Sequence, residues 1–326
     1  MPYSHHSHSG QFCQHAKGTL EEVVQEAIRQ NFKVYGLTEH VPRYREEDLY
    51  PEEEGMSLRT LEDKFEAFLD EAHRLRVLYK EQISLLVGLE TEYITLKDLD
   101  KLELLLKKHR DLCRIDCIVG SVHHVNEIPI DFDKATYEKA VASCALDSDA
   151  SDIDSPLLER FLCKYFDQQF DIISRFLPEV IGHIDLCRLY TPELKLEDFP
   201  NAWQKLKKNI EFAASYGALF ELNAAAFRKG WDTAYPGRDV VKLIQEHGGK
   251  FTLSDDSHGP QGVGLNYDKL EKYVQDVGIS DIFYLCQSEG SAFFDRNLRA
   301  VGESVDKLYV HNRATINAPK PHHGDT

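Results

Sequence analysis

Apolar positions follow two different periods along most of this chain of 326 residues. Where apolar residues recur at helical spacing, the pattern predicts helices. The predicted helices are 19–32, 57–81, 98–109, 155–175, 201–216 and 239–247. Short, largely apolar runs lie between them and predict buried strands. A first short strand ends in His6-x-His8, and the later runs are 33–38, 84–90, 114–122, 179–185, 217–223, 249–255 and, near the end, 281–286.

Capping residues support two of the predicted helix starts. Thr19 and Glu22 stand three positions apart, which is the spacing of a capping box. Ser155 and Pro156 supply an N-cap and a first helical residue for the helix that runs to position 175.

Strands that alternate with helices in this way indicate βαβ units around a mostly parallel sheet. About seven or eight such units favour an α/β barrel over an open sheet. No segment rich in Gly, Pro and Ser divides the chain, so we expect one domain over residues 1–326. Within it, the acidic stretch 146–156 is expected to be a surface insertion and 313–326 a loose tail.

The charge balance narrows the classes of partner. The chain has 38 Lys and Arg against 55 Asp and Glu, a formal net charge of −17. Because binding to a nucleic-acid backbone needs clustered cations, this balance argues against nucleic acid and leaves a small phosphorylated substrate open. No window reaches the roughly 18 apolar residues of a membrane span. No secretory leader pattern follows Met1, and the odd number of cysteines fits reduced thiols, so we expect a cytoplasmic protein.

Side chains that can bind metals stand at the ends of the predicted strands. In a parallel barrel the carboxyl ends of all strands open onto one face, so residues distant in sequence meet there. In chain order these residues are His6, His8, His15, Glu39, His40, Glu90, His123, His124, His183, Asp185, Glu221, Asn223, Asp255, Asp256 and His258.

Imidazole and carboxylate together point to metal chemistry. Imidazole suits Zn, Mn or Fe, and a carboxylate can bridge two cations, so the set implies more than one divalent ion. The chain shows neither a Ser-His-Asp spacing nor a Gly-x-Ser-x-Gly or Gly-rich phosphate motif. Metal-activated water is therefore the expected nucleophile, since a bound divalent ion lowers the pKa of water from about 15.7 toward about 7.

Each group alone also has an ordinary structural interpretation. His6 and His8 could stand near the start by chance, and His183 could be a hydrogen-bonded core residue. His124 points away from the side of His123 if the backbone is extended there, so only one of the pair is expected to bind metal. Because such residues occur at the ends of several predicted strands, a metal site is favoured over these separate structural roles.

The ordered motifs resemble the polymerase-and-histidinol-phosphatase (PHP) superfamily of metal phosphoesterases over residues 3 to about 260. They are His6-x-His8, Glu39-His40, Glu90, GSVHH, IGHIDL and SDDSH. Within that superfamily, FCQH, GLTEHVPR, GLETEY, GSVHH and ELNAAAFRKG resemble the histidinol-phosphatase branch.

The resemblance implies a distorted (β/α)7 TIM-like barrel with three divalent metal ions, Zn, Mn or Fe, at the C-terminal face of its strands. It implies a first ion held by His6, His8, Glu90 and Asp256, a second by His15, His40 and His258, and a third by Glu90, His123 and His183. Asp256 is preferred to Asp255 because the family pattern is Asp-x-His. Glu39 stands where many relatives have Asp, and Ser4 also stands where Asp is frequent. Glu39 and Asp255 are therefore expected to support the ligands.

The resemblance also implies a reaction, the hydrolysis of L-histidinol phosphate to L-histidinol and phosphate in histidine biosynthesis. Glu90, His123, Asp256 and His258 are the expected catalytic residues. Glu221 and Asn223 are expected to orient water or substrate. Arg228 is the candidate for binding phosphate, because a guanidinium offers paired donors, although it could also be an exposed loop residue. Arg43 and Arg188 could line the mouth of the site.

Two alternatives stay open from sequence. The first is another PHP phosphoesterase that acts on a phosphotyrosine or a nucleotide, or an exonuclease, which the net charge disfavours. The second is a metal-bound interaction domain without activity. The oligomeric state is not predicted.

Overall fold

The structure is a computed structural model that describes residues 2–110, 112–145, 156–288 and 298–308. The predicted tail over 313–326, and the predicted insertion apart from Pro156, lie outside these residues.

The strands are short and most of them are parallel. They are β1 (Tyr3–Ser4), β2 (Ser7–His8), β3 (Val34–Leu37), β4 (Ser84–Glu90), β5 (Cys117–Gly120), β6 (His124–Val125), β7 (Ile128–Pro129), β8 (Val180–Ile181), β9 (Leu219–Asn223), β10 (Lys250–Ser254), β11 (Ser257–His258), β12 (Asp281–Gln287) and β13 (Leu298–Ser304).

The helices lie between these strands. They are α1 (Leu20–Arg29), α2 (Leu58–Leu78), α3 (Leu96–Arg110), α4 (Lys134–Ser143), α5 (Leu157–Phe176), α6 (Pro200–Tyr216), α7 (Ala225–Arg228), α8 (Arg238–Glu246) and α9 (Tyr267–Asp276).

Seven strands form one parallel sheet in the order β1, β3, β4, β5, β8, β9, β10. The two edges of this sheet meet, because the His5 backbone N–H donates to the Leu253 carbonyl at 3.2 Å. A sheet with helices outside and its edges joined is a distorted TIM-like barrel, so the predicted fold is confirmed. Apolar strands suit it, since a parallel strand in a barrel is covered on both faces. In β4 every residue after Ser84 is buried.

The end of the chain differs from the expected repeat. The strand predicted at 281–286 is β12, but it pairs antiparallel with β13 and forms a hairpin. This hairpin packs over the seam of the barrel: the Leu285 N–H donates to His5 Nε2 at 3.0 Å, and the Tyr284 ring stacks on Tyr3 at 4.2 Å. The helices α4, α7 and α9 were not predicted. α4 has a weak apolar periodicity, with Tyr137 and Ala140 as its buried residues.

The seven cysteines form no disulfide among the described residues, and five of them are buried. No helix in the described residues has the length and apolar character needed to cross a membrane.

The capping box of α1 gives a test of the local fold. Thr19 Oγ1 accepts from the Glu22 N–H at 3.2 Å, and Glu22 Oε2 accepts from the Thr19 N–H at 2.7 Å. We expect Thr19→Ala to lower the free energy of unfolding by about 1 kcal/mol in urea titrations, because an N-cap acceptor is lost. Thr19→Ser keeps the hydroxyl and should stay within a few tenths of a kcal/mol. Equal stability of the alanine and serine variants would contradict this account of the helix start.

Candidate metal centre

Glu90, the last residue of β4, lies at the centre of the site. Its carboxylate is 3.1–3.3 Å from ring nitrogens of five histidines that follow different strands. These are His6, His8, His40, His123 and His183. The carboxyl ends of the strands therefore bring together residues that are as much as 177 positions apart (183 − 6).

Asp256 joins this group from the other side of the seam. Its Oδ1 lies 3.9 Å from His6 Nε2, 3.8 Å from His8 Nε2 and 3.6 Å from His258 Nδ1. β2 and β11 pair in parallel with His8 opposite His258, which places these two rings side by side. Asp256 has a φ of 47°, a left-handed conformation that Asp tolerates better than most residues.

Asp255 lies apart from the ring nitrogens. Its carboxylate accepts hydrogen bonds from Ser4 Oγ at 3.0 Å, the Tyr35 hydroxyl at 3.1 Å and the Gly264 N–H at 2.8 Å. Of the two neighbouring aspartates, the structure thus brings Asp256 to the cluster and uses Asp255 to hold the chain beneath it. Burial raises the pKa of Asp255 to about 6.

A second group lies beside the first. One donor atom from each of Cys13, His15, His40 and His258 lies within 4.8 Å of the others. Cys13 was not predicted, although the motif FCQH places it two residues before His15. Its thiol is buried, with Sγ 3.2 Å from His15 Nε2.

Three carboxylates orient the rings from behind. Glu221 Oε1 is 2.8 Å from His6 Nδ1. Its Oε2 accepts a hydrogen bond from the backbone N–H of His183 at 2.8 Å. Glu92 Oε1 is 3.2 Å from Nδ1 of both His123 and His124. A partner at Nδ1 fixes the tautomer and leaves Nε2 free to bind a metal.

Glu39 is the third of these carboxylates. Its Oε2 is 3.4 Å from His8 Nδ1, while its Oε1 accepts from the Ser9 N–H at 2.8 Å and the Ser9 hydroxyl at 2.7 Å. Glu39 therefore lies behind the His8 ring. Glu221 was expected at the substrate but also lies behind a histidine.

Sequence reasoning missed Glu92. The sequence does contain a sign of it, since residues two apart in an extended segment face the same side. Glu92 follows Glu90 by two positions and so shares its face.

Several buried polar atoms of the cluster make no hydrogen bond of suitable geometry among the described residues, although most of them lie 3.1–3.4 Å from an ionic partner. They include His6 Nε2, both ring nitrogens of His8, Glu39 Oε2, His40 Nδ1 and His183 Nδ1. Such atoms are unfavourable in a folded protein unless something binds them. Imidazole nitrogens and carboxylate oxygens are ligands for divalent metals, so the cluster fits a metal site.

The charges agree with this interpretation. Burial disfavours the charged form of Glu90, yet the imidazoles of His6, His123 and His40 hold the pKa of this carboxyl well below its usual range. Burial also disfavours a charged imidazole, but the carboxylates around His6 and His123 raise the pKa of both rings well above the ordinary value. Protons and divalent cations therefore compete for the same lone pairs in this group.

The pKa values of two histidines in the second group are lowered, unlike those of His6 and His123. Burial lowers the pKa of His15 to about 4 and that of His258 to about 3. Both rings are therefore neutral at pH 7, the form in which imidazole binds a metal.

A cavity of about 380 Å³ opens over the cluster, a size typical of sites for small ligands. The candidate ligands His15, His40, Glu90, His123, His183, Asp256 and His258 form part of its lining. The other lining residues are Tyr50, Glu52, Asp131, Phe132, Leu186, Leu189, Ala225, Arg228, Lys229 and Tyr235.

Of the three arginines considered from sequence, the structure places Arg228 at this cavity. It is exposed, and its two terminal nitrogens donate to the carbonyls of Asp255 at 3.1 Å and Asp256 at 2.9 Å. These bonds hold the guanidinium beside the cluster.

The expectation that Arg188 and Arg43 line the mouth is not met. Arg188 is buried, and its Nη2 lies 2.7 Å from both Asp185 and Asp239. Arg43 lies beneath the Tyr50 ring, 4.0 Å from its centre. Both guanidiniums are therefore engaged within the protein, and neither lines the cavity.

Asn223 also lies away from the cavity lining. Its amide donates to Glu221 Oε2 at 3.0 Å and to Asp256 Oδ2 at 3.1 Å. It therefore links two carboxylates of the cluster instead of facing a substrate.

Sequence similarity assigns the chain to a known family. The family model described as PHP domain matches residues 4–225, and the chain belongs to this family. It is 46% identical over 285 residues to a Schizosaccharomyces pombe protein named "Probable histidinol-phosphatase", covering 86% of this chain and 89% of the relative. It is 32% identical over 322 residues to the Saccharomyces cerevisiae histidinol-phosphatase, covering 89% and 92% of the two chains.

A solved structure has the same fold. It is a histidinol phosphate phosphatase from Lactococcus lactis in complex with zinc, L-histidinol and phosphate. The TM-score is 0.61 at 19% identity, over 91% of this chain and 99% of that chain.

The metal centre can be tested through neighbouring histidines. We expect His123→Ala to lower the divalent metal retained per chain after gel filtration, measured by elemental analysis, because its Nε2 faces Glu90 at 3.2 Å. His124→Ala is the matched control, since His124 is also buried and contacts Glu92. It should retain the wild-type metal content, and circular dichroism should show both variants folded. Equal metal loss in the two variants would contradict the placement of His123.

Proposed function

We propose that the chain hydrolyses L-histidinol phosphate to L-histidinol and phosphate, as a step of histidine biosynthesis in the cytoplasm. The observation that carries the proposal is the convergence of imidazoles on Glu90, in a cavity that Arg228 also lines. The names of the two yeast relatives support this substrate. A protein of the same fold binds both L-histidinol and phosphate, which is also consistent with it.

We propose that the cluster holds three divalent ions, with zinc the first candidate and manganese or iron the others. His6, His8, Glu90 and Asp256 would hold one ion; His15, His40 and His258 a second; Glu90, His123 and His183 a third. When bound, such ions would lower the pKa of a water molecule and neutralise negative charge on a phosphoryl group. The neutral rings of His15 and His258 support this assignment, and so do the buried atoms around Glu90 that make no hydrogen bond of suitable geometry among the described residues.

The chain's own residues then have separate tasks. Glu90, His123, Asp256 and His258 would act catalytically as metal ligands next to the reacting phosphoryl group. Glu221, Glu92 and Glu39 keep the rings oriented, so that little reorganisation accompanies the reaction. Arg228 can offer paired N–H donors to phosphoryl oxygens, because its guanidinium is held at the cavity by two backbone carbonyls.

The rest of the cavity supports a cationic alcohol as the esterified group. Glu52 and Asp131 line it, together with the rings of Tyr50 and Phe132. L-histidinol carries an ammonium group and an imidazole, which suit carboxylates and aromatic rings respectively. A nucleotide would bring further negative charge towards the carboxylates, so these residues disfavour it.

Phosphate release from several esters tests the proposal. Metal-loaded protein would be incubated with L-histidinol phosphate, a phosphotyrosine peptide and a mononucleotide, with and without a chelator. We expect the highest kcat/KM for L-histidinol phosphate, loss of activity with chelator and recovery on adding metal.

Other outcomes would reject parts of the proposal. A higher kcat/KM for the peptide or the nucleotide would assign another phosphoesterase activity. No release from any ester would favour a domain without activity, and release that the chelator does not affect would remove the role of metal.

The phosphate-binding role of Arg228 gives a separate prediction. We expect Arg228→Ala to raise KM for the ester by about 10- to 100-fold, because hydrogen bonds to a charged group are lost. Arg228→Lys keeps the charge but not the paired donors, so it should lie between alanine and wild type. Steady-state kinetics measure both values, and an unchanged KM in the alanine variant would withdraw the role.

A further inference from the structure

Tyr235 carries a hydroxyl group that the fold does not use. The side chain lines the cavity over the metal cluster and is only 2% exposed. Its hydroxyl oxygen is buried and has no hydrogen-bond partner among the residues that the structure describes. Buried phenol groups normally find a partner, so this one requires an explanation.

The ring of Tyr235 is held without help from the hydroxyl. Its backbone pairs with Asn223 at the end of β9, where the Asn223 N–H donates to the Tyr235 carbonyl at 2.8 Å and the Tyr235 N–H donates back at 3.2 Å. Its ring packs edge-on against Trp231 at 4.8 Å and against His183 at 6.4 Å. Phenylalanine would satisfy all of these contacts.

Other buried tyrosines in the described residues show what a structural hydroxyl does here. Tyr273 donates to the Pro236 carbonyl at 2.8 Å, and Tyr137 donates to the Cys187 carbonyl at 2.9 Å. Tyr267 donates to the Tyr3 carbonyl, also at 2.8 Å. Each of these groups closes a contact within the protein, whereas Tyr235 leaves its donor free beside the cavity.

The surroundings of the phenol identify what it would bind. The charged groups Asp131, Asp256 and Arg228 line the same cavity as the phenol. Its ring contacts His183, a candidate metal ligand, and the cations of the cavity lining are Arg228 and Lys229. A group between a guanidinium and a metal site is an anion rich in acceptors, and a neutral phenol is a donor to such a group.

We propose that the Tyr235 hydroxyl donates a hydrogen bond to a phosphoryl oxygen of the bound monoester, on the side of the phosphoryl group that Arg228 also reaches. The inference rests on the proposed phosphatase function and adds a positioning donor that the motifs do not mark. The hydroxyl keeps its proton throughout, and no covalent bond to it forms or breaks.

The test uses Tyr235→Phe in the metal-loaded enzyme, with inorganic phosphate as the probe. We expect the inhibition constant of phosphate to rise by about 10- to 100-fold, as for loss of a donor to a charged acceptor. The value of kcat/KM should fall by a similar factor for L-histidinol phosphate and for p-nitrophenyl phosphate, since both present the same phosphoryl oxygens. Metal content should equal that of wild type, and the melting temperature should not fall, because no hydrogen bond of the free protein is removed.

Tyr216→Phe is the matched control. Its hydroxyl donates to the Pro178 carbonyl at 3.1 Å, before β8 begins and therefore at the opposite end of the barrel from the cluster. This variant should have a lower melting temperature and unchanged phosphate inhibition.

The outcomes separate the possible roles. Unchanged phosphate inhibition in Tyr235→Phe would overturn the inference, and so would a fall in melting temperature or metal content large enough to explain lost activity. If kcat/KM falls for L-histidinol phosphate but not for p-nitrophenyl phosphate, the hydroxyl contacts the alcohol part of the substrate. That result would overturn the assignment to phosphoryl oxygens. If wild type binds phosphate through Tyr235 but does not hydrolyse L-histidinol phosphate, the proposed function fails and the inference stands.

Discussion

A buried carboxylate that needs positive charge on several sides organises this molecule. Glu90 is 1% exposed, and its two oxygens lie 3.1–3.3 Å from five imidazoles. A charge buried in this way is tolerated only when it is paired or binds a metal. Because the rings follow different strands, the pairing requires the strands to have their carboxyl ends on one face. The closed parallel sheet and the side-chain cluster therefore depend on each other.

The seam of the barrel is where this constraint acts most directly. His6 and His8 come from the first strands of the chain and Asp256 and His258 from its last barrel segment, so closure alone makes them neighbours. The backbone bond from His5 to Leu253 and the β12–β13 hairpin hold the two edges together. Behind the rings, carboxylates such as Glu221 fix the side that faces the metal. Preorganised charge of this kind suits a reaction in which negative charge develops on phosphoryl oxygens.

Much of this arrangement could be predicted from sequence, because strand order in a parallel barrel decides which side chains share a face. Glu92 could have been found through its spacing from Glu90. Arg188 could not be placed, since its partner Asp239 lies 51 positions away and nothing local reveals the pair. Tyr235 belongs to no metal-binding pattern, and its importance appears only when its hydroxyl is seen without a partner beside the cavity. The hairpin was missed because periodicity identifies a strand but does not say which strand it pairs with.

Anomalous X-ray diffraction at the zinc edge, from crystals of the zinc-loaded protein, would locate any ions that the cluster binds. We expect anomalous peaks beside Glu90, each about 2.0–2.2 Å from ring nitrogens or carboxylate oxygens of the cluster. Nitrogens of His6, His40 and His183 should be among the atoms that bind. Peaks found only at surface residues, with the histidines still paired to Glu90 and no ion between them, would contradict the claim that these side chains form a metal centre.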